Sequence, residues 1–125
     1  MKYNPRYGGG QVSHEIIFRY ADAHLMKAEA LLRSGGDATT LVNELRVLRG
    51  ATPLGSVSEQ QLLDERGREL YQETWRRNDM IRFGQYTRDW LFKEASQIGN
   101  TERHVFPIPP AQLLANPNLV QNPGY

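Results

Sequence analysis

Glu65, Glu69 and Glu73 recur every four residues in the stretch 62–86, LLDERGRELYQETWRRNDMIRFGQY. On a helix that spacing lines three carboxylates along one flank, and like charges so placed destabilise it by about 0.2–0.5 kcal/mol per pair. Such a row persists only where cations meet it. Asp64 with Arg68 and Glu73 with Arg77 have the acid-first, four-residue spacing of local surface pairs, and these account for part of the charge. The remainder predicts arginines arriving from other segments through bidentate guanidinium–carboxylate contacts. The stretch is therefore expected to stitch separate pieces of backbone together. Its buried side is read from Leu63, Gly67, Leu70, Thr74 and Ile81, with Gly67 leaving room for a close neighbour.

The start of this central helix is marked sharply. Ser58 and Gln61 form a capping-box pair, and Val57 and Leu62 stand where a hydrophobic staple belongs. Further on, the run 76–79 (RRND) predicts a kink or a restart capped by Asn78 or Asp79, and Gly84 closes the second piece.

Upstream, the pattern turns helical at Ser13, an N-cap candidate. Ile17, Tyr20, Ala21, His24, Leu25, Ala28, Leu31 and Leu32 form an apolar stripe that ends at Gly35 and Gly36. Arg19 and Asp22, three apart, can pair, while Glu29 is left to seek an arginine from elsewhere. Asp37 then caps a second helix to about Arg49, with Leu41, Val42, Leu45 and Leu48 inward and Gly50 as its stop. The short link through Gly35 and Gly36 predicts an antiparallel, tetratricopeptide-like hairpin.

Residues 1–12 read as an extended leading segment, because Pro5 and the glycine run 8–10 disfavour regular structure. Residues 87–103 read as a loop with at most a helical turn or two. From Phe106 the X-Pro restrictions push Phe106, Ile108, Asn116 and Asn122 toward extended geometry, with a short helix over 110–114. Phe106, Ile108, Leu113, Leu114 and Leu119 are expected to anchor this proline- and asparagine-rich tail on the helices. The fold expected is all-α: a helical hairpin, a long helix that kinks or restarts, and an ordered irregular tail. Residues 1–125 form one segment, with a helical core over 13–86 and a loop and wrapping tail over 87–125.

Composition narrows the function mainly by exclusion. The 125 residues carry a formal charge of +1, which favours neither nucleic acid nor an anionic membrane. The chain contains no cysteine, and His14, His24 and His104 do not have metal-ligand spacing. No run approaches the ~18 apolar residues that span a bilayer, and the N-terminus lacks a signal-peptide pattern. Glu65 and Glu69 could be spaced like the paired acids of a glycosidase. The surrounding arginines, however, lower carboxylate pKa values, the reverse of what a general acid needs. Neither a nucleophile elbow nor a phosphate-binding loop occurs, so no catalytic residue and no cofactor is assigned. The aromatic rings that could stack on a ligand are Tyr3, Tyr7, Tyr86 and Trp90.

Three segments in order, RYADAHLMKAEALL at 19–32, LLDERGRELYQETWRRNDMIRFGQY at 62–86 and FPIPPAQLLANPNLVQNPGY at 106–125, resemble the C-terminal part of the RagB/SusD family. Arg19, Tyr20, Ala21, Asp22, Ala28 and Glu29 match that family's first helix motif, and Glu65, Arg66, Glu69, Leu70, Arg77, Asp79 and Arg82 match its second. The resemblance implies a C-terminal fragment of a helical, non-enzymatic lipoprotein at the outer-membrane surface. Such a protein binds oligosaccharides or other nutrients and hands them to a SusC-like TonB-dependent transporter. The lipid-bearing cysteine and the upstream hairpins are absent, so the uncovered helix faces are expected to drive self-association. The alternative is a tetratricopeptide-like protein-interaction scaffold that binds no glycan.

Overall fold

The computed structural model describes residues 17–125. They hold five α-helices and two short 3₁₀ turns, and no strand occurs among the described residues. The helices are α1 (Tyr20–Arg33), α2 (Thr39–Leu48), α3 (Glu59–Glu69), α4 (Trp75–Arg82) and α5 (Pro110–Ala115). The chain is all-α, and no helix among the described residues is long and apolar enough to cross a membrane. It divides into two compact units, one ending at Arg76 and the other spanning Arg77–Tyr125.

In the first unit α1 packs on both α2 and α3. Leu25, Ala28, Val42, Leu62 and Leu63 are fully buried, with Ala21 and Leu45 nearly so. The apolar stripe of α1 is narrower than its periodicity predicts, because Tyr20 is 84% exposed and Leu31 38% exposed. Leu48 of α2 also faces outward. Periodicity identifies a face, but burial requires a neighbour to cover it. The expected cap at Ser13 lies outside the described residues, and α1 is preceded by extended Arg19.

Glycine closes α1 and α2 in the same way. Gly35 takes φ +84°, its N–H reaches the Leu32 carbonyl, and the Gly36 N–H reaches Leu31 at 2.9 Å. Gly50 and Ala51 repeat the pattern on Val47 and Arg46. At the start of α2 the cap position falls to Ala38, while Asp37 accepts from the Thr39 N–H at 2.8 Å. Hydrogen bonding from the Thr39 side chain and then from its N–H holds the Asp37 carboxyl below its ordinary pKa. The loop after α2 is pinned by Asn43, whose amide exchanges two 2.8 Å hydrogen bonds with the backbone of Leu54.

The capping box at α3 is present: Ser58 Oγ accepts from Gln61 N, and Gln61 Oε1 accepts from Ser58 N. Val57 and Leu62 are both buried. The expected break at 76–79 occurs earlier, since α3 ends at Glu69 and α4 restarts at Trp75, leaving Asn78 and Asp79 inside a helix. Gln72 at φ +62° and Thr74 at φ +65° make the intervening turn without glycine. Thr74 is accordingly exposed rather than part of a continuous buried face. The close neighbour of Gly67 is the Arg76 guanidinium, which donates to the Leu63 carbonyl at 2.8 Å; a β-carbon at Gly67 would fall 2.6 Å from Arg76 Nη1.

In the second unit Gly84 ends α4, and the 3₁₀ turns Ala95–Gln97 and Glu102–His104 are the only helical structure described between α4 and α5. The tail is held differently from expectation. Of the expected apolar anchors Ile108 and Leu113 are half-buried, while Phe106 is 69% exposed and Leu114 88%. Polar side chains make further connections. Gln121 exchanges hydrogen bonds with both backbone groups of Ile108, Asn122 Nδ2 donates to Phe106 O, and the Tyr125 hydroxyl donates to Val105 O.

Candidate functional site

The acid row of α3 and its continuation at Glu73 lies almost entirely out of water, with Glu65, Glu69 and Glu73 no more than 8% exposed. Arginines from three segments meet it. From α2, Arg46 Nη1 donates to Glu65 at 2.6 Å, and Arg49 grips Glu69 through Nε at 3.0 Å and Nη2 at 2.8 Å. Arg68, within α3, donates to Glu65 at 2.6 Å. Arg19, just before α1, donates through Nε to both oxygens of Glu73 at 2.9 and 2.8 Å, and also to the carboxylate and backbone carbonyl of Glu69. One guanidinium thereby ties the start of α1 to the strained turn after α3. Bidentate, charge-assisted contacts of this kind offset the cost of burying charge.

Burial pushes the Glu69 carboxyl upward, but hydrogen bonds and charge from Arg49 and Arg19 outweigh it and hold the pKa below the ordinary glutamate value. Desolvation likewise opposes the charge on Arg19, whose pKa is nevertheless raised by Glu73 and Glu69. A carboxylate kept ionised in this way cannot serve as a proton donor near neutral pH. The row is chemically a lattice of fixed charges.

The other residues singled out from the sequence fall into separate groups. Asp22 does not pair with Arg19. Its Oδ1 accepts from Arg66 Nη2 at 2.9 Å, with both side chains at most 2% exposed. Glu29 accepts from Arg33 of its own helix at 2.9 Å. Arg68 bonds Glu65 and not Asp64, which accepts from Gln60. Arg77 does not take Glu73: its Nη2 donates to the carbonyls of Arg103 and His104 within the second unit. Arg82 donates to buried Asp79 at 2.8 Å. Arg46 and Arg49 were not among the expected network residues. Their three-residue spacing at the end of α2 was the available signal, since it places two guanidinium groups side by side.

The second unit also contains a recess of about 310 Å³, lined in part by Tyr86 and Trp90. The two rings meet edge to face, 6.2 Å apart at 81°. Tyr86 lies in turn 5.7 Å from the His104 ring. Lys93 Nζ donates to the carbonyls of Tyr86 and Arg88 and lies 5.2 Å from the Trp90 centroid, which fixes the indole against a cation. Tyr3 and Tyr7 lie outside the described residues.

The described residues are thus all helical or irregular, with segments of the first unit joined by buried arginine–carboxylate contacts and an aromatic recess in the second. The chain belongs to the SusD family, whose sequence profile matches residues 2–125. It is 40% identical over 136 aligned positions to the starch-binding protein SusD of Bacteroides thetaiotaomicron, covering 98% of this chain and 25% of that protein. It is also 32% identical over 130 positions to a SusD-like protein of Formosa agariphila, covering 88% of this chain and 24% of that one. The chain thus spans about a quarter of the length of the curated relatives it matches.

Proposed function

We propose that the protein carrying this chain captures glycans at the cell surface without altering them. It hands them to a SusC-like TonB-dependent transporter in the outer membrane, where a lipid anchor holds it. The observation that carries this reading is the 40% identity, over nearly the whole chain, to a protein named for starch binding. The ionised state of Glu69 supports a non-catalytic role, because a glycosidase requires a carboxyl that can give up a proton to the leaving group. In this reading the first unit contributes a stiff structural wall, and Arg19, Asp22, Glu29, Glu65, Arg66 and Glu69 serve stability rather than ligand contact.

Native gel electrophoresis of the intact protein through polyacrylamide containing starch, other neutral polysaccharides or none tests this function. Retardation by at least one polysaccharide, with the sugar recovered unshortened, is expected. Unretarded migration in every gel would overturn glycan capture, and shortened sugar would overturn the non-catalytic role. The exposed Val47 and Leu48 on α2 favour the alternative, a helical scaffold for another protein. Migration unchanged by every polysaccharide is the outcome that scaffold requires.

A further inference from the structure

We propose that the recess around Trp90 is a saccharide subsite, formed by the loop between α4 and α5. This inference rests on the glycan-binding reading above and assigns it a place. The backbone supplies the first argument. Trp90 and Lys93 close a turn through a 3.0 Å bond from Lys93 N to Trp90 O, and Phe92 occupies its second central position at φ +67°. Glycine or asparagine ordinarily fills that position, because a side chain there costs about 1–2 kcal/mol. Packing among the described residues does not repay that cost, since it leaves the Phe92 ring 95% exposed. A strained residue carrying an unpacked aromatic ring at the edge of a recess is a recurring mark of a ligand contact.

The lining supplies the second argument. Trp90 is 39% exposed and held between the Tyr86 edge and Lys93, so its ring is preorganised rather than free to collapse. Gln97 and Asn100 add amides that can exchange hydrogen bonds with hydroxyls, while the apolar ring faces match the CH face of a pyranose. Asn100 Oδ1 accepts from Glu102 N at 2.9 Å, which orients its amide. Lys93 is oriented by two carbonyls and Arg103 by the Tyr125 ring 4.5 Å away, and together with Glu94 they give the lining charged donors and an acceptor for sugar hydroxyls. Its volume of about 310 Å³ lies at the small end of ligand sites and accommodates roughly one or two sugar rings.

Hydroxyl-radical footprinting of the intact protein, read by mass spectrometry, tests the assignment with maltohexaose, cellohexaose and hexagalacturonic acid as probes. Binding of each is measured in parallel by calorimetry. A hexasaccharide that binds is expected to lower oxidation at Tyr86, Trp90 and Phe92 by about threefold. Trp90→Ala and Phe92→Gly should remove that protection at neighbouring Tyr86. Phe92→Gly relieves the backbone at φ +67° and should melt no earlier than the parent, which separates lost contact from lost folding. Binding with oxidation at Trp90 unchanged would overturn this subsite and leave the glycan-binding reading intact. The absence of calorimetric binding by every probe would overturn both readings.

Discussion

Replacing Arg66 by methionine leaves the Asp22 carboxylate, 1% exposed, without the guanidinium that neutralises it. Methionine fills much of the same volume, so the loss is mainly electrostatic and not a cavity. Asp22 Oδ2 already has no hydrogen-bond partner among the described residues, so the carboxylate has little else to fall back on. Removing one member of a buried ion pair costs about 3–5 kcal/mol, against total stabilities of about 5–15 kcal/mol. With a urea slope of about 1.5–2 kcal/mol per molar, the unfolding midpoint should fall by about 2 M. Arg68→Met on the same helix is the control. Arg68 is 56% exposed and its partner Glu65 keeps Arg46, so this change should cost less than about 1 kcal/mol. Adding Asp22→Asn to Arg66→Met should recover about 2 kcal/mol, because the stranded charge is then gone. Equal midpoints for Arg66→Met and Arg68→Met, or a double-mutant cycle with no coupling, would refute the reasoning.

Glu69 predicts a pH dependence. Its folded-state carboxyl lies below the ordinary value of 4.5, so its stabilising contribution is complete above about pH 4.5. It is lost as the pH falls through the lowered folded value. Glu69→Gln should therefore flatten the decline in melting temperature between about pH 5 and pH 3, and an unchanged acid limb would exclude Glu69 from the lattice. Thr74→Gly relieves a β-branched residue at φ +65°, worth about 1–2 kcal/mol, less about 0.5–1 kcal/mol of chain entropy. Urea unfolding should show a gain of up to about 1 kcal/mol, and a loss of that size would show that the turn after α3 adopts another conformation.

What the sequence conveyed follows from which signals are local. Ser58 and Gln61 announce the start of α3 because a capping box is complete within four residues. The four-residue glutamate spacing required outside arginines, and Arg19, Arg46 and Arg49 meet it, although spacing could not say which arginines would come. The break between α3 and α4 left no local mark. Residues 70–74 contain neither glycine nor proline, and their left-handed backbone at Gln72 and Thr74 accompanies Glu73's long-range bonds to Arg19. The tail misled in a related way, since Phe106 and Leu114 suggested burial while Gln121 and Asn122 make the connections. Tyr86 and Trp90 were legible as aromatic candidates. Phe92, Gln97 and Asn100 join them only once the turn at 90–93 is made.

The claim on which the rest depends is that arginines from distant segments are fixed on the acids of α3 and the turn after it. NMR of the arginine Nε–H groups measures this directly, because a side chain held in a buried ion pair exchanges its proton slowly with water. Arg19, whose Nε donates to Glu73, and Arg46, whose Nε donates to the Thr52 carbonyl while Nη1 holds Glu65, should give resolved signals. Their exchange should be at least about tenfold slower than in the urea-unfolded chain. Exchange at the unfolded rate for both would mean that those guanidinium groups move freely in water, and the lattice described here would not exist.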